Sequence, residues 1–350
     1  MKLLLVKPSS LGDVVHAFAF VNRLKKERPD FVIDWLVNDI YSSLVKCNPG
    51  VNNVWQFKRG EWGKNWGSPS TVSDIFSLMS WIRRERYDVC LDLQGLLRSG
   101  VAAYFSGAKM KVGFSDAREG SRFLYDTLIK PGEKPHAVDK LMTALNVFGV
   151  TSPDKPDFSF VPPDSAVGFV KKLLVDVGIS SYVVFHAGAR WKTKMWPSKN
   201  WRALAAGVVR NSGLRVVFTG SSADAAMVGE ITSGVAGAFN FAGSLSLVEL
   251  TALIKSCSMM VTVDSGPMHI AAAFDKPIVA LFGPTSPAKT GPLTTAPCDV
   301  LQLGDVDCVP CFDRVCGRKN ECMEKMSPEY VESHVMRLLA YLSRTTNKAG

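Results

Sequence analysis

Short unbroken apolar runs recur along this chain, each closing on glycine, serine or proline and each followed by apolar residues at helical spacing. Leu3-Leu4-Leu5-Val6 runs into Lys7-Pro8-Ser9-Ser10-Leu11-Gly12, after which residues 14–24 carry the helix period. Residues 31–37 and 88–93 are further strand candidates, with a helix-like segment at 73–86 between them. A strand with no polar alternation is buried on both faces, and such strands joined by helices build parallel sheets covered on both sides. The chain is therefore expected to be α/β and doubly wound.

The alternation halts once. Four prolines stand among polar residues between Pro153 and Pro163, which reads as a linker. Strand candidates then resume at 182–186, 215–219, 259–263 and 277–282. At 350 residues the chain exceeds the size at which a single core stops growing. Two Rossmann-like domains facing across a cleft are expected, at 1–155 and 164–327, with a last amphipathic helix from Pro328 to about Ser343 and a tail to residue 350. The first strand is followed by no Gly-x-Gly-x-x-Gly, and no Walker-type lysine loop occurs, which weighs against dehydrogenases and kinases.

Ligands of doubly wound sheets bind beyond the carboxyl ends of the strands. In the second half four small-residue loops stand there, Ala187-Gly188-Ala189, Gly220-Ser221-Ser222, Asp264-Ser265-Gly266 and Gly283-Pro284-Thr285, and they are read as one binding rim. Lys plus Arg number 41 against 32 Asp plus Glu, a balance that attracts polyanions without choosing among them. No apolar run approaches the roughly 20 residues of a membrane span. Lys7, Pro8 and Asp13 interrupt the N-terminal apolar run too early for a signal peptide, so it is read as a first strand of a cytoplasmic chain.

Asp13 opens a helix in the crevice beyond the first strand. A carboxylate so placed suits a general base on an acceptor hydroxyl, or else simply complements the helix dipole. Asp264-Ser265-Gly266-Pro267-Met268-His269 ends a buried strand and opens a helix, so its backbone amides can face a diphosphate, with His269 adding a donor or packing beneath the helix. Arg190, Lys192 and Lys194 follow another strand end, where cations stabilise departing negative charge. Asp224, past the Gly220 loop, is placed for ribose hydroxyls or as a helix N-terminal acid.

Four blocks in order, Ser9-Ser10-Leu11-Gly12-Asp13-Val14-Val15-His16, Asp92-Leu93-Gln94-Gly95-Leu96-Leu97-Arg98-Ser99, residues 261–273 and Phe282-Gly283-Pro284-Thr285, resemble the ADP-heptose:lipopolysaccharide heptosyltransferases. The resemblance implies an inverting, metal-independent enzyme of the GT-B fold with no cofactor, moving heptose from an ADP-linked donor to the lipopolysaccharide inner core. On the family's Lys-x-Trp-Pro pattern Lys194 attends the departing ADP, with Lys192 as fallback. Gly188 and Ala189 depart from a Thr-Thr pair common in the family, and Asp224 stands where relatives carry Glu.

The basic and aromatic run at 57–66 resembles the mobile loop of heptosyltransferase I. Lys58, Arg59 and Lys64, together with Ser10, Arg118 and His136, are the acceptor-binding candidates, since phosphates and carboxylates of a Kdo–lipid A or heptosylated acceptor suit Arg and Lys. A lipid-linked acceptor implies peripheral contact with the inner membrane. Aromatic plus basic residues also suit single-stranded nucleic acid, but no recognised nucleic-acid module accompanies them, so no nucleic-acid partner is expected. The chain is expected to be a monomer. A sugar-nucleotide epimerase and a non-catalytic binder of anionic glycolipid are the rival classes. Cys308, Cys311, Cys316 and Cys322 crowd one short window. They are read as a lid-like structural segment with reduced thiols, structural zinc being the alternative.

Overall fold

Each of two sheets in the computed structural model is built from six parallel strands, and the chain divides into the units Met1–Val161 and Pro162–Gly350. The structure describes residues 1–65, 67–152 and 155–349, the last five by backbone alone. Trp66 of the basic run, Pro153 and Asp154 of the linker and Gly350 of the tail lie outside the described residues.

In the first unit β1 (Lys2–Val6), β2 (Val32–Asn38), β3 (Asn53–Phe57), β4 (Val89–Asp92), β5 (Met110–Phe114) and β6 (Thr127–Ile129) take the order β3-β2-β1-β4-β5-β6. Leu4 of β1 lies opposite Asp34 on one side and Cys90 on the other. The winding direction reverses between β1 and β4, and a crevice opens at such a switch point. The helix Leu11–Glu27 leaves it, burying Val14, Val15, Phe18 and Val21 and carrying Lys25 and Lys26 in its last turn, where cations complement the dipole.

The second unit repeats the plan. β7 (Tyr182–His186), β8 (Arg215–Thr219), β9 (Ala238–Asn240), β10 (Met259–Val263), β11 (Ile278–Phe282) and β12 (Cys298–Gln302) take the order β12-β11-β10-β7-β8-β9. Here the switch point lies between β7 and β10, whose Thr262 pairs with His186. The core beside it is aromatic: Trp196 meets Trp201 edge-on at 5.2 Å, and Phe185 and Phe218 complete the group. Each such aromatic contact contributes about 0.5–1.5 kcal/mol beyond area burial. The last helix, Pro328–Ala349, runs past the expected end near Ser343.

The strands absent from the sequence reading are β3, β5, β6, β9 and β12, and all but β5 are sheet edges. An edge strand is short and half wet, so its apolar run is broken. β9 has no buried residue, whereas every residue of β7, β10 and β11 is buried. Among the described residues no helix is long and apolar enough to cross a membrane.

Candidate active site

At the switch point of the first sheet the peptide after β1 is held on three sides. The Trp35 indole N–H donates to the Lys7 carbonyl at 3.1 Å, Lys7 Nζ donates to the Leu93 carbonyl at 3.4 Å, and the Ser9 amide donates to Gln94 Oε1 at 3.2 Å. Asp13, in the first turn of the helix, receives Ser10 N at 2.8 Å and Ser10 Oγ at 2.7 Å on Oδ2, while Lys7 Nζ lies 3.3 Å from Oδ1. Burial alone raises its pKa, but the Lys7 ammonium, the two Ser10 hydrogen bonds and His16 outweigh that and hold the carboxyl well below its ordinary range. The group is ionised at neutral pH and 37% exposed.

Asp92, the first residue of a family-like block, has a different task. Fully buried, it accepts the amides of Gln94 and Gly95 on Oδ1 at 2.7 and 3.1 Å, and the Tyr125 hydroxyl on Oδ2 at 2.6 Å. Gly95 has a φ of +66°, which a residue without Cβ adopts freely. The carboxylate thus staples the turn whose Gln94 braces Ser9.

The acceptor candidates disperse over the first unit. Arg59 and Lys64 begin and end a six-residue helix, Arg59–Lys64, where a loop was expected. Lys58 precedes it, 3.7 Å from Glu61 and 3.9 Å from Asp74. Arg118 ties to the Gly95 turn, its amide donating to the Gly95 carbonyl at 2.9 Å. His136 caps the helix Ala137–Met142, Nδ1 accepting the Val138 amide at 3.2 Å, and its ring centroid lies 5.6 Å from that of His16, one turn beyond Asp13.

In the second unit the loops after β7, β10 and β11 meet. Lys194 Nζ lies 2.6 Å from Asp264 Oδ2, and the Thr285 hydroxyl donates to the same oxygen at 2.6 Å. Trp196 fixes the lysine loop from behind, its indole N–H donating to the Met326 carbonyl at 2.9 Å. Lys192, by contrast, points to solvent. The helix Gly266–Ala273 starts directly after Asp264 and Ser265, with Pro267 in its first turn. Its opening amides at Gly266 and Met268 lack a carbonyl one turn earlier, and the positive end of the helix points with them. The Met268 side chain is wholly buried, so that residue offers backbone alone. Ser265 Oγ lies 3.1 Å from Thr262 Oγ1, and His269 is 5% exposed.

Asp224 closes the remaining side. Its Oδ2 accepts Ser221 N at 2.8 Å and Ser221 Oγ at 2.6 Å, so the N-terminal helix role weighed for it is present. A Cβ on Gly188 would lie 2.8 Å from that oxygen, so the glycine after β7 gives the carboxylate its space. Buried His186 beside them is pushed down to about 4 by desolvation, partly countered by Asp224, and its Nδ1 lies 3.0 Å from Thr219 Oγ1. Lys7 and Thr285 were overlooked as site residues. Their signal was present, a lysine directly behind an apolar run and a threonine in the fourth rim loop.

A family model described as glycosyltransferase family 9 (heptosyltransferase) matches residues 75–321. Lipopolysaccharide heptosyltransferase 1 of Pseudomonas aeruginosa is 29% identical over 322 residues, covering 90% of this chain and 87% of that protein. The Escherichia coli K12 lipopolysaccharide heptosyltransferase 1 is 27% identical, covering 83% and 90%. Among solved structures, E. coli heptosyltransferase WaaC with ADP superposes with a TM-score of 0.79 at 21% identity, covering 97% of this chain and 100% of that one. E. coli ADP-heptose lps heptosyltransferase II gives 0.77 at 25% identity, covering 98% and 100%.

Proposed function

This chain belongs to glycosyltransferase family 9, the heptosyltransferases, with the two Rossmann-like domains of the GT-B fold, and from that premise we propose that it transfers heptose from ADP-L-glycero-D-manno-heptose to the lipopolysaccharide inner core with inversion. The acceptor is a Kdo–lipid A or its heptosylated product, reached at the cytoplasmic face of the inner membrane by peripheral contact. The enzyme works as a monomer.

One observation carries the reading: each sheet sets candidate chemistry at its own switch point, Asp13 beside Lys7 in the first unit and Lys194 beside Asp264 in the second. Asp13 is the general base. An alcohol is far less acidic than a carboxylic acid, so its proton leaves only as the oxygen bonds to the anomeric carbon. A hydroxyl that replaces Ser10 Oγ on Oδ2 also removes one of the bonds that keep Asp13 weakly basic. Lys194, the amides of residues 266 and 268, and the His269 side chain receive the diphosphate as the glycosidic bond breaks. Ser265 and Gly266 allow its close approach, and Asp224 takes the ribose hydroxyls.

The charge on the leaving group is met by side chains and amides, so turnover needs no metal ion on the diphosphate. Mass-spectrometric detection of heptose added to defined Kdo–lipid A with EDTA present tests this. Asp13→Ala is expected to cut turnover about 10²–10⁴-fold while leaving ADP affinity near wild type. Unchanged turnover removes Asp13 as base, and isomerised free sugar nucleotide without transfer returns the chain to the epimerase class.

A further inference from the structure

Residues 303–320, between β12 and the helix Glu321–Glu324, contain neither helix nor strand. Phe312, Lys319 and Asn320 hold φ values of 60°, 52° and 61° there, each sparsely populated for a residue with a Cβ. Structureless stretches this long inside a domain are uncommon and need tethers of their own. Leu303, Val306 and Val309 anchor its first part on the core, while Val315, 87% exposed, and Phe312, 40% exposed, leave the rest without apolar burial.

The segment's distinctive content is sulfur. Cys308, Cys311 and Cys316 line one cavity with Cys322 of the following helix, and its free volume of about 10 Å³ is close to that of a single water or ion. All four are free thiols. Cys316 Sγ accepts the backbone amides of Arg318 and Asn320, both at 3.3 Å. The two amides hold that sulfur in place at the cavity wall.

We propose that these four cysteines form a closed structural site for one thiophilic divalent cation, of which Zn²⁺ fits best. A four-sulfur tetrahedral shell suits that ion. As the chain stands, no three Cys, His, Asp or Glu among the described residues are at coordinating spacing. Binding therefore draws the sulfurs inward to about 2.3 Å from the ion. Four protons pass to solvent, leaving a site of net charge −2.

The segment also clasps the loops of the donor cradle. The Thr193 hydroxyl donates to the Asp313 carbonyl at 2.8 Å, and Asn320 Nδ2 donates to the Met195 carbonyl at 3.1 Å, one on each side of Lys194. The Phe312 amide donates to the Pro284 carbonyl at 2.8 Å, next to Thr285. Closing the sulfurs on an ion stiffens both loops, so the four cysteines are positioning residues for Lys194 and Thr285. That second role rests on the donor-site reading, and ion binding does not.

The test is elemental analysis of the full chain purified without chelator, then removal of metal by a strong thiol-competing chelator and titration of the reduced protein with Zn²⁺ alone. About one metal ion per chain, 1:1 uptake of Zn²⁺ and a rise in Tm on uptake are expected, with Cys311→Ser/Cys316→Ser binding at least tenfold less. No stoichiometric metal together with no uptake by the reduced wild type overturns the site whether or not the variant folds, as do disulfides among these cysteines. ADP affinity about tenfold weaker in the stripped protein supports the positioning role, and unchanged affinity removes it. If Lys194→Ala leaves ADP binding intact, the donor-site reading fails while the metal stoichiometry stands.

Discussion

The Lys194 ammonium stands 2.6 Å from Asp264 Oδ2 although the two residues are 70 positions apart in the chain. Their side chains are 18% and 6% exposed, so the pair is largely withdrawn from water. Its arrangement makes the lysine a cation whose charge is already neutralised, and an arriving diphosphate competes with Asp264 for it.

This pairing separates stability from catalysis. Lys194→Ala leaves a buried carboxylate without its cation and is expected to cost about 3–5 kcal/mol, read by urea unfolding. Lys194→Ala/Asp264→Ala should recover much of that loss. Turnover should stay about 10²–10³-fold low in both, because the group that meets the leaving charge is gone. Recovered turnover in the double variant would assign Lys194 a structural task only.

Asp13 sets a pH signature. Its pKa lies below the ordinary 3.8, so the stability it contributes is complete above about pH 4 and fades as pH falls from there through its folded value. The carboxylate is ionised throughout the working range, and an acid limb in kcat/KM above pH 5 should therefore be unaffected by Ser10→Ala. A Ser10→Ala variant whose acid limb moves upward within that range would show that Asp13 titrates there.

His186 behaves in the same sense for a different reason. Desolvation moves it from 6.5 down to about 4, so the folded state favours the neutral ring. Stability is complete above pH 6.5 and is lost as pH falls toward 4, where the buried ring must charge. His186→Gln should flatten the fall in Tm between pH 6.5 and 4. An unchanged slope would place the titrating group elsewhere.

Gly188→Ala drives a methyl group against the Asp224 carboxylate, whose Oδ2 would be 2.8 Å away. With Asp224 displaced from the ribose position, Kd for ADP should rise about tenfold while kcat changes little, as measured by calorimetry and steady-state kinetics. A fall in kcat with ADP affinity intact would point to a role in the chemical step.

Asp92→Asn tests the staple. The amide oxygen can still accept Gln94 and Gly95, but its N–H₂ then faces the Tyr125 hydroxyl that donated to Oδ2, so that buried proton loses its acceptor at a cost of about 1–3 kcal/mol. Thermal unfolding should reveal the loss, with turnover per folded molecule within a few-fold of wild type.

The central strands were legible because a strand buried on both faces needs an uninterrupted apolar run, as in Tyr182–His186 and Met259–Val263. Edge strands such as Ala238–Asn240 and Cys298–Gln302 were not, because their burial depends on one neighbour. Asp13 and Lys194 were legible through the loops that carry them. Their partners were less so, since a carboxylate looks the same in sequence whether it meets a substrate, as proposed for Asp13, or staples a turn, as Asp92 does.

By itself the sequence determined the α/β alternation, the break near residue 160 and the loops that bear the charged groups, because these follow from local spacing of apolar and small residues. Only the tertiary structure decided that Asp264 belongs to Lys194 and Thr285, and Asp224 to the space over Gly188. Strand order does this: β10 lies between β7 and β11, and that adjacency sets side by side charges that the chain keeps far apart.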